Sequence, residues 1–205
     1  SDEGTILKYD GTKWVLMQKL TNSGGAFADH FGHSVSISGN YAIVGAPDDD
    51  GVNTDQGSAS IYQFNGTNWV LMQKITDATG SAGDNYGHSV SISGNYAIVG
   101  AYTDDVGLNT DQGTALIYQY NGTSWVLMNK IADAAGAAGD NFGVSVSIAG
   151  NYAIVGAPLD DVGANFNQGS AVIYQFNGSS WVLMTKVTDA AGGSNNQFGH
   201  SVSIS

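Results

Sequence analysis

The sequence predicts an all-β protein made of repeated, four-stranded antiparallel sheets. One phrase carries this prediction: Phe-Gly-His-Ser-Val-Ser-Ile-Ser-Gly-Asn-Tyr-Ala-Ile-Val-Gly-Ala occupies residues 31–46 and returns with few changes at residues 86–101 and 142–157. Its first half returns at residues 198–205, and neighbouring copies lie 55 to 56 residues apart. A fixed period of this length is typical of repeat folds. The 29 glycines and only 2 prolines suit short strands joined by glycine turns.

Each repeat contains four strand patterns, which we name A to D. In the first repeat, strand A is predicted at residues 32–38, where valine and isoleucine alternate with serine. A Ser-Gly-Asn turn leads to strand B at residues 41–45, which is apolar on both faces. An acidic loop precedes strand C at residues 58–64, and Asn65-Gly66 supplies the positive φ values of a tight hairpin turn. Strand D follows at residues 69–75.

This pattern predicts a β-propeller in which each repeat forms one blade. Four antiparallel strands are the usual content of a propeller blade. Strands that are apolar on both faces fit as well, because each blade is covered by a neighbour on either side. A linear β-solenoid is the alternative, but its coils are usually shorter and parallel, whereas Asn-Gly hairpins require antiparallel neighbours.

The chain holds about 3.7 repeats, which form one repeat domain. The predicted divisions are strands C and D of a partial blade (1–30), three full repeats (31–85, 86–141 and 142–197) and the first strand of a further repeat (198–205). These divisions give fifteen strands, one strand B short of a closed four-bladed ring. An imperfect ring, a segment of a longer propeller and complementation between chains all fit this count. We expect a segment, because the sequence stops in mid-hairpin at Ser205.

The charge and composition of the chain exclude some classes of binding partner. Six cationic side chains, all of them lysines, stand against 18 acids, for a net charge of −12. Such a surface repels phosphate backbones and anionic lipids, so we expect no nucleic-acid partner and no membrane insertion. The sequence contains no cysteine, and no apolar run reaches the length of about 18 residues that a membrane span needs.

The acidic loops between strands B and C are the candidate metal sites. Calcium takes six to eight oxygen ligands from carboxylates, amides and backbone carbonyls, and these loops are rich in such groups. The candidate ligands are Asp48, Asp49, Asp50, Asn53, Asp55, Asp104, Asp105, Asn109, Asp111, Asp160, Asp161, Asn165 and Asn167. The alternative is that aspartate and asparagine cap the turns through the loops' own backbone amides. Calcium is therefore the one cofactor that the sequence predicts as possible.

Histidine, tryptophan and lysine recur at fixed places in the repeat. His33, His88 and His200 follow the Phe-Gly pair, where Val144 stands in the third copy, and an inner strand A would bring them together near the axis. Structural hydrogen bonding is favoured over a transition-metal site. The tryptophans begin strand D, where packing between blades is favoured over stacking on sugars. The lysines near the end of strand D suggest protection of an outer edge.

Catalysis finds little support in the sequence. His33 and Ser34 are neighbours on a strand, so their side chains point to opposite faces and cannot form a nucleophile and base pair. A catalytic centre is expected to stand out as a departure from the repeat. The departures are Phe27, His30, Tyr102, Val144 and Phe166, and they compose no recognisable mechanism. We therefore predict that the protein is not an enzyme.

The phrases Phe31-Gly32 with Gly45-Ala46-Pro47, and Phe142-Gly143 with residues 156–158, resemble the FG-GAP repeat. That repeat is the blade of the integrin α-subunit propeller and of many bacterial surface proteins. The resemblance implies a propeller, an extracellular or cell-surface location, and a role in adhesion or ligand recognition. Integrin-type blades hold calcium between strands A and B, but here that connection is only Ser-Gly-Asn or Ala-Gly-Asn.

The expected partners are therefore a protein or glycan ligand at a surface. Two alternative functions remain open: a filament or oligomer subunit that self-assembles by blade complementation, and a carbohydrate-binding lectin.

Overall fold

The computed structural model describes residues 3–22, 25 and 28–205. Within them the chain forms three four-stranded antiparallel sheets and one two-stranded sheet. The strands are β1 (Glu3–Tyr9), β2 (Trp14–Thr21), β3 (Ser34–Ser38), β4 (Tyr41–Ala46), β5 (Ser58–Phe64), β6 (Trp69–Ile75), β7 (Ser89–Ser93), β8 (Tyr96–Ala101), β9 (Thr114–Tyr120), β10 (Trp125–Ile131), β11 (Ser145–Ala149), β12 (Tyr152–Ala157), β13 (Ser170–Phe176) and β14 (Trp181–Val187).

Each four-stranded sheet is one blade with its strands in the order A, B, C, D. Blade 1 runs β3-β4-β5-β6, blade 2 runs β7-β8-β9-β10 and blade 3 runs β11-β12-β13-β14. All pairs are antiparallel, so the predicted blade is confirmed. Strands β1 and β2 pair in the same way as strands C and D. One detail was not predicted: the register between strands C and D shifts at a bulge, between Ile61 and Tyr62 in blade 1.

The prediction of a fifteenth strand, at the end of the sequence, is wrong. Among the described residues the chain forms fourteen strands, and residues 201–205 belong to none of them. A strand needs a ladder partner, and the partner of a strand A is the strand B that follows it. The segment nevertheless lies where a strand A belongs, because the Ile204 N–H donates to Ser147 Oγ of blade 3 at 3.2 Å.

The hydrophobic core lies between the blades. In the cluster between blades 1 and 2, Ile43 and Ile61 of the first blade pack with Val99 and Leu116 of the second, and all four are fully buried. An equivalent cluster joins blades 2 and 3. Strands B and C are thus apolar on both faces because both faces are covered, as the sequence predicts.

Two glycines let adjacent blades approach closely. A Cβ atom on Gly45, at the end of strand B, would overlap the carbonyl oxygen of Gly87 in the next blade. A Cβ atom on Gly87, whose φ is +99°, would overlap the Ser58 carbonyl oxygen. The same contact recurs between Gly100 and Gly143. The Phe-Gly and Gly-Ala phrases therefore meet at each blade interface, where only glycine leaves room for the opposite backbone.

Candidate functional site

One aspartate of each acidic loop is buried and paired with a lysine of strand D in the same blade. Lys74 contacts Asp49, while Lys130 lies 2.6 Å from Asp104 and Lys186 lies 2.6 Å from Asp160. The lysines also reach back to the preceding loop between strands D and A. Lys130 Nζ is 2.7 Å from Asp77 Oδ2, and Lys186 Nζ is 2.6 Å from Asp133 Oδ2. In the first blade Asn22 takes the place of this second aspartate.

In each acidic loop the aspartate that follows the buried one caps a turn. Its Oδ1 accepts a hydrogen bond from a backbone N–H five or six residues further on: Asp50 from Asp55 at 3.0 Å, Asp105 from Asp111 at 2.9 Å and Asp161 from Asn167 at 2.7 Å. Each donating residue adopts a left-handed φ of about 50°, a conformation that asparagine and aspartate tolerate better than most residues.

The loop asparagines connect one loop to the next. Their side-chain amides donate to glycine carbonyl oxygens of the following loop: Asn53 to Gly80 at 3.0 Å, Asn109 to Gly136 at 3.2 Å and Asn165 to Gly192 at 3.3 Å. These bonds tie the loop between strands B and C to the loop that leads into the next blade. Asp48, the remaining predicted ligand, points elsewhere and is described below.

The loops as folded do not present a ready cation site. In blades 2 and 3 a lysine ammonium stands between two buried carboxylates and neutralises part of their charge. Across the described part of the chain, no three histidine or acidic side chains are grouped so as to hold a metal ion. The geometry assigns the loop residues to turns and ion pairs, and calcium binding stays a prediction for experiment.

A third carboxylate shapes the electrostatics of each cluster. Asp84 is only 3% exposed, and burial raises its pKa to about 6, with Asp104 and Asp77 adding to the effect. Burial raises the pKa of Asp140 to about 6 in the same way. Burial alone would lower the pKa of Lys130, but its two carboxylate partners outweigh burial and hold that pKa above its usual value. Each cluster therefore carries excess negative charge near neutral pH and depends on its lysine.

A pocket of about 410 Å³ opens between blades 1 and 2, away from these clusters. Its walls are His30, His33, Pro47, Asp48, Asn85, His88 and Tyr102. The ring of His88 is central: its centroid lies 4.8 Å from that of His33 and 4.4 Å from that of Tyr102. The predicted gathering of the repeated histidines is thus confirmed for His33 and His88.

A hydrogen-bonded rim fixes one side of this pocket. Asp48 contacts the His30 ring through Oδ2, and its Oδ1 accepts a hydrogen bond from the Asn85 amide at 2.9 Å. The Thr103 hydroxyl donates to Asn85 Oδ1 at 3.1 Å. Because the rim draws on both blades, the positions of its polar groups are set by blade packing.

Two residues that depart from the repeat sequence line this pocket. His30 occupies the position that Asn85 and Asn141 hold in later copies, and Tyr102 occupies the position of Pro47 and Pro158. Both departures are visible in the sequence, but their meeting is not, because 72 positions separate them in the chain. Phe166 lies exposed in the third acidic loop, and Phe27 lies outside the described residues.

The surroundings of His88 in the pocket favour the neutral form of its imidazole. Burial lowers the pKa of His88, and the neighbouring His33 ring lowers it further. The Nδ1 atom of His88 is buried and, among the described residues, has no hydrogen-bond partner. Because this nitrogen is closed off from solvent, a ligand in the pocket could bond to it only if the surrounding side chains shifted.

The repeated tryptophans pack between blades and form no sugar platform in blades 1 to 3. Trp125 meets the edge of Tyr41 from the preceding blade at 5.6 Å, and Trp181 meets Tyr96 at 5.4 Å. Trp69 is 7% exposed, whereas Trp14 on β2 is 68% exposed. The preference for packing is confirmed at three of the four positions.

Ser34, the residue beside His33, has a structural role. Its hydroxyl donates to the Gly87 carbonyl oxygen of the next blade at 2.7 Å. The same bond recurs from Ser89 to Gly143 at 2.7 Å. The strand A serines therefore join blades, as their repetition indicates.

The family model of the FG-GAP repeat matches the chain three times, at residues 14–62, 69–118 and 125–174. The chain belongs to the FG-GAP repeat family. Each match starts at the tryptophan of strand D and ends in strand C of the next blade. The family unit thus joins strand D of one blade to strands A, B and C of the next, and its glycine phrases contact those of the neighbouring units.

A solved structure similar to this FG-GAP protein is that of Sqt1 from Saccharomyces cerevisiae, a β-propeller. The two share 12% sequence identity with a TM-score of 0.52, and the match covers 80% of this chain and 37% of Sqt1. The similarity supports the propeller fold alone. A search of curated proteins finds no match. The described residues include no helix long and apolar enough to cross a membrane.

Proposed function

We propose that this FG-GAP protein is a non-enzymatic recognition module of the cell surface or extracellular space, and that the pocket between blades 1 and 2 contacts its ligand. FG-GAP repeats occur in extracellular and surface proteins, which supports the location. A propeller fold alone does not select a ligand, so the site must carry the argument.

The observation that carries the proposal is the meeting of His30 and Tyr102 in one pocket. Residues that repeat in every blade serve the blade, whereas these two do not repeat. Tyr102 packs, with the tilted rings of His33 and His88, on one wall of the pocket, and His30 joins Asp48 in its polar rim. Such a wall suits a ligand that presents a hydroxyl or amide beside an apolar face, which glycans and protein side chains both supply.

The test compares the protein with a variant whose pocket is returned to the repeat sequence. The variant carries His30→Asn and Tyr102→Pro, which are the residues of the equivalent positions in other blades. Both proteins are applied to a glycan array and to an array of purified extracellular proteins. The expected result is at least one saturable ligand that the unaltered protein binds and the variant binds at least tenfold more weakly.

A matched control separates the pocket from the rest of the surface. Phe166→Asn changes another departure from the repeat, which is 60% exposed and lies outside the pocket. Binding by this control should equal that of the unaltered protein. Silence on both arrays, or ligands that bind all three proteins equally, would refute the proposal. Signals confined to the glycan array would identify a lectin.

A further inference from the structure

The hairpin tips between strands C and D carry the same exposed dipeptide in all three blades. The three tips are Asn65-Gly66, Asn121-Gly122 and Asn177-Gly178. Each asparagine N–H donates to the backbone oxygen three residues further on, at 3.0 to 3.1 Å, and each glycine adopts a positive φ of 96° to 99°. The three tips are therefore copies of one turn.

The asparagine side chain at each tip is held by backbone donors. Asn65 Oδ1 accepts hydrogen bonds from the N–H groups of Thr67 at 3.0 Å and Asn68 at 2.9 Å. Asn121 Oδ1 accepts the equivalent two bonds, at 2.9 and 3.0 Å. Asn177 Oδ1 accepts them at 3.0 Å each and takes a third bond from Ser179 Oγ at 2.9 Å. The side-chain carbonyl group is polarised at every tip, and most strongly at Asn177.

The backbone nitrogen that follows each asparagine is not engaged. Within the described part of the chain, the N–H groups of Gly66, Gly122 and Gly178 have no hydrogen-bond partner. A glycine nitrogen is also unhindered, because the residue has no Cβ atom. Each tip thus combines an exposed, accessible nitrogen with a neighbouring amide carbon whose oxygen already contacts two N–H groups.

We propose that Asn65, Asn121 and Asn177 are sites of intramolecular deamidation. At the first tip the Gly66 nitrogen attacks Asn65 Cγ and closes a succinimide ring, while the Cγ–Nδ2 bond breaks and Nδ2 leaves as ammonia with the proton of the Gly66 amide. Water then opens the ring, its hydroxyl adding to one of the two ring carbonyl carbons and its proton going to the glycine nitrogen. Negative charge develops on Oδ1 during the attack, and the N–H groups at Oδ1 stabilise it as oxyanion donors do.

A fourth copy of this turn already carries the residue that deamidation produces. Asp10-Gly11 occupies the equivalent position between β1 and β2, and Asp10 Oδ1 accepts hydrogen bonds from the N–H groups of Thr12 at 2.8 Å and Lys13 at 2.9 Å. Gly11 has a φ of +102°. Aspartate therefore preserves the turn, so deamidation would add up to three negative charges to the net charge of −12 without loss of a hairpin.

These tips lie away from the ligand pocket between blades 1 and 2. Tyr41, where strand B begins, pairs with Gln63 beside the first tip, whereas the pocket includes Pro47, beyond the end of strand B. The deamidation proposal is therefore independent of the proposed recognition function.

The experiment incubates the full chain at mildly alkaline pH and follows each tip by proteolysis and mass spectrometry. All three tip asparagines should convert from amide to acid, while Asn40 and Asn95, which are exposed but precede tyrosine, should remain amides. Asn177 should react at least twofold faster than Asn65, because its oxygen has one more donor. The expected difference is small because the tips are exposed, and oxyanion donors act most strongly where water is excluded.

A matched variant separates the geometry of the turn from the local sequence. Ser179→Ala removes the third donor and should slow deamidation of Asn177 at least twofold in the folded chain. The same change in a synthetic peptide of residues 174–183 should leave the rate unchanged, because the peptide lacks the turn. Asn65→Asp should keep the circular dichroism spectrum of the unaltered chain, as the turn at Asp10 predicts.

The ratio of products is a second readout. Attack of water on Cγ gives aspartate, and attack on the backbone carbonyl carbon gives isoaspartate. Because the donors polarise the Cγ carbonyl group, the folded chain should give a larger share of aspartate than the peptide does.

Three outcomes would overturn the proposal. One is retention of all three amides in the folded chain while the peptide deamidates. Another is an equal effect of Ser179→Ala in the chain and in the peptide. The third is the same ratio of aspartate to isoaspartate in both.

Discussion

Replacing Lys130 should destabilise the interface between blades 1 and 2 more than replacing a solvent-exposed charged residue does. Lys130 Nζ lies 2.7 Å from Asp77 Oδ2 and 2.6 Å from Asp104 Oδ2, and its side chain is 29% exposed. Lys130→Met leaves two buried carboxylates without their cation, close to the third carboxylate of Asp84. Breaking a buried pair costs about 3 to 5 kcal/mol, and the partial exposure of the lysine reduces the expected loss to about 2 to 4 kcal/mol.

The first blade supplies a matched control for this prediction. Lys74 pairs with Asp49, but Asn22 stands where the other blades have a second aspartate. Lys74→Met should therefore cost about half as much as Lys130→Met. The assay is urea unfolding followed by tryptophan fluorescence at about pH 7, with the free energy of unfolding obtained by linear extrapolation.

The pH dependence adds a signature that simple loss of packing lacks. Burial acts to raise the pKa of Asp77, but its bonds to Lys130 and Thr79 outweigh burial and hold it below the usual 3.8. A carboxylate with a lowered pKa stabilises the fold above its unfolded pKa and loses that contribution as the pH falls through the folded value. The cost of Lys130→Met should therefore be largest near pH 7 and shrink as the pH falls below about 4. A cost under about 0.5 kcal/mol, or a larger cost for Lys74→Met, would refute this reasoning.

Three further predictions concern other parts of the molecule. Gly100→Ala should lower the free energy of unfolding by more than about 2 kcal/mol, because its Cβ would overlap a backbone oxygen of blade 3. Gly193→Ala, whose Cβ would lie in open space, should change that free energy by less than about 0.5 kcal/mol, and equal effects of the two variants in urea unfolding would contradict the glycine contact. His33→Val should raise the pKa of His88, since one imidazole that lowers it is removed, and NMR titration of the ring nitrogens should show this; an unchanged or lower pKa would contradict the pocket geometry. Calcium at about 1 mM should shift the thermal unfolding midpoint by less than about 1 °C relative to a sample with chelator, because the loop carboxylates already pair with lysines or accept hydrogen bonds from turn amides. A rise of several degrees would instead support the predicted calcium ligands.

The blades could be read from the sequence because their signals are local. The bounds that the sequence predicts for strand C (58–64) and strand D (69–75) are those of the structure. The alternation of valine, isoleucine and serine set strand A, and the Asn-Gly turns set the hairpins. The bulge between Ile61 and Tyr62 escaped prediction, since both neighbouring strands continue through it without a break in pattern.

The contacts between blades could not be predicted, because they join residues that lie far apart in the chain, from 29 positions for Ser58 and Gly87 to 53 for Asp77 and Lys130. Lys130 and Asp77 both recur with the period of the repeat, but this recurrence indicates edge protection for the lysines and gives no sign that they pair with the aspartates. Their pairing depends on how one blade is rotated against the next. The meeting of His30 with Tyr102 has the same origin, and a search for departures that share one blade interface would have found it.

The central claim is that successive sheets pack side by side with their A strands adjacent. Nuclear Overhauser effects in assigned NMR spectra test it most directly. The amide proton of Ile92 should show contacts to the β protons of Ser36, and that of Ile148 to the β protons of Ser91, because these N–H groups lie 3.2 Å and 3.1 Å from the serine oxygens. Both sets of contacts should be present together with antiparallel contacts inside each blade. Antiparallel sheets without contacts between their A strands, or parallel contacts between successive repeats, would contradict the propeller arrangement.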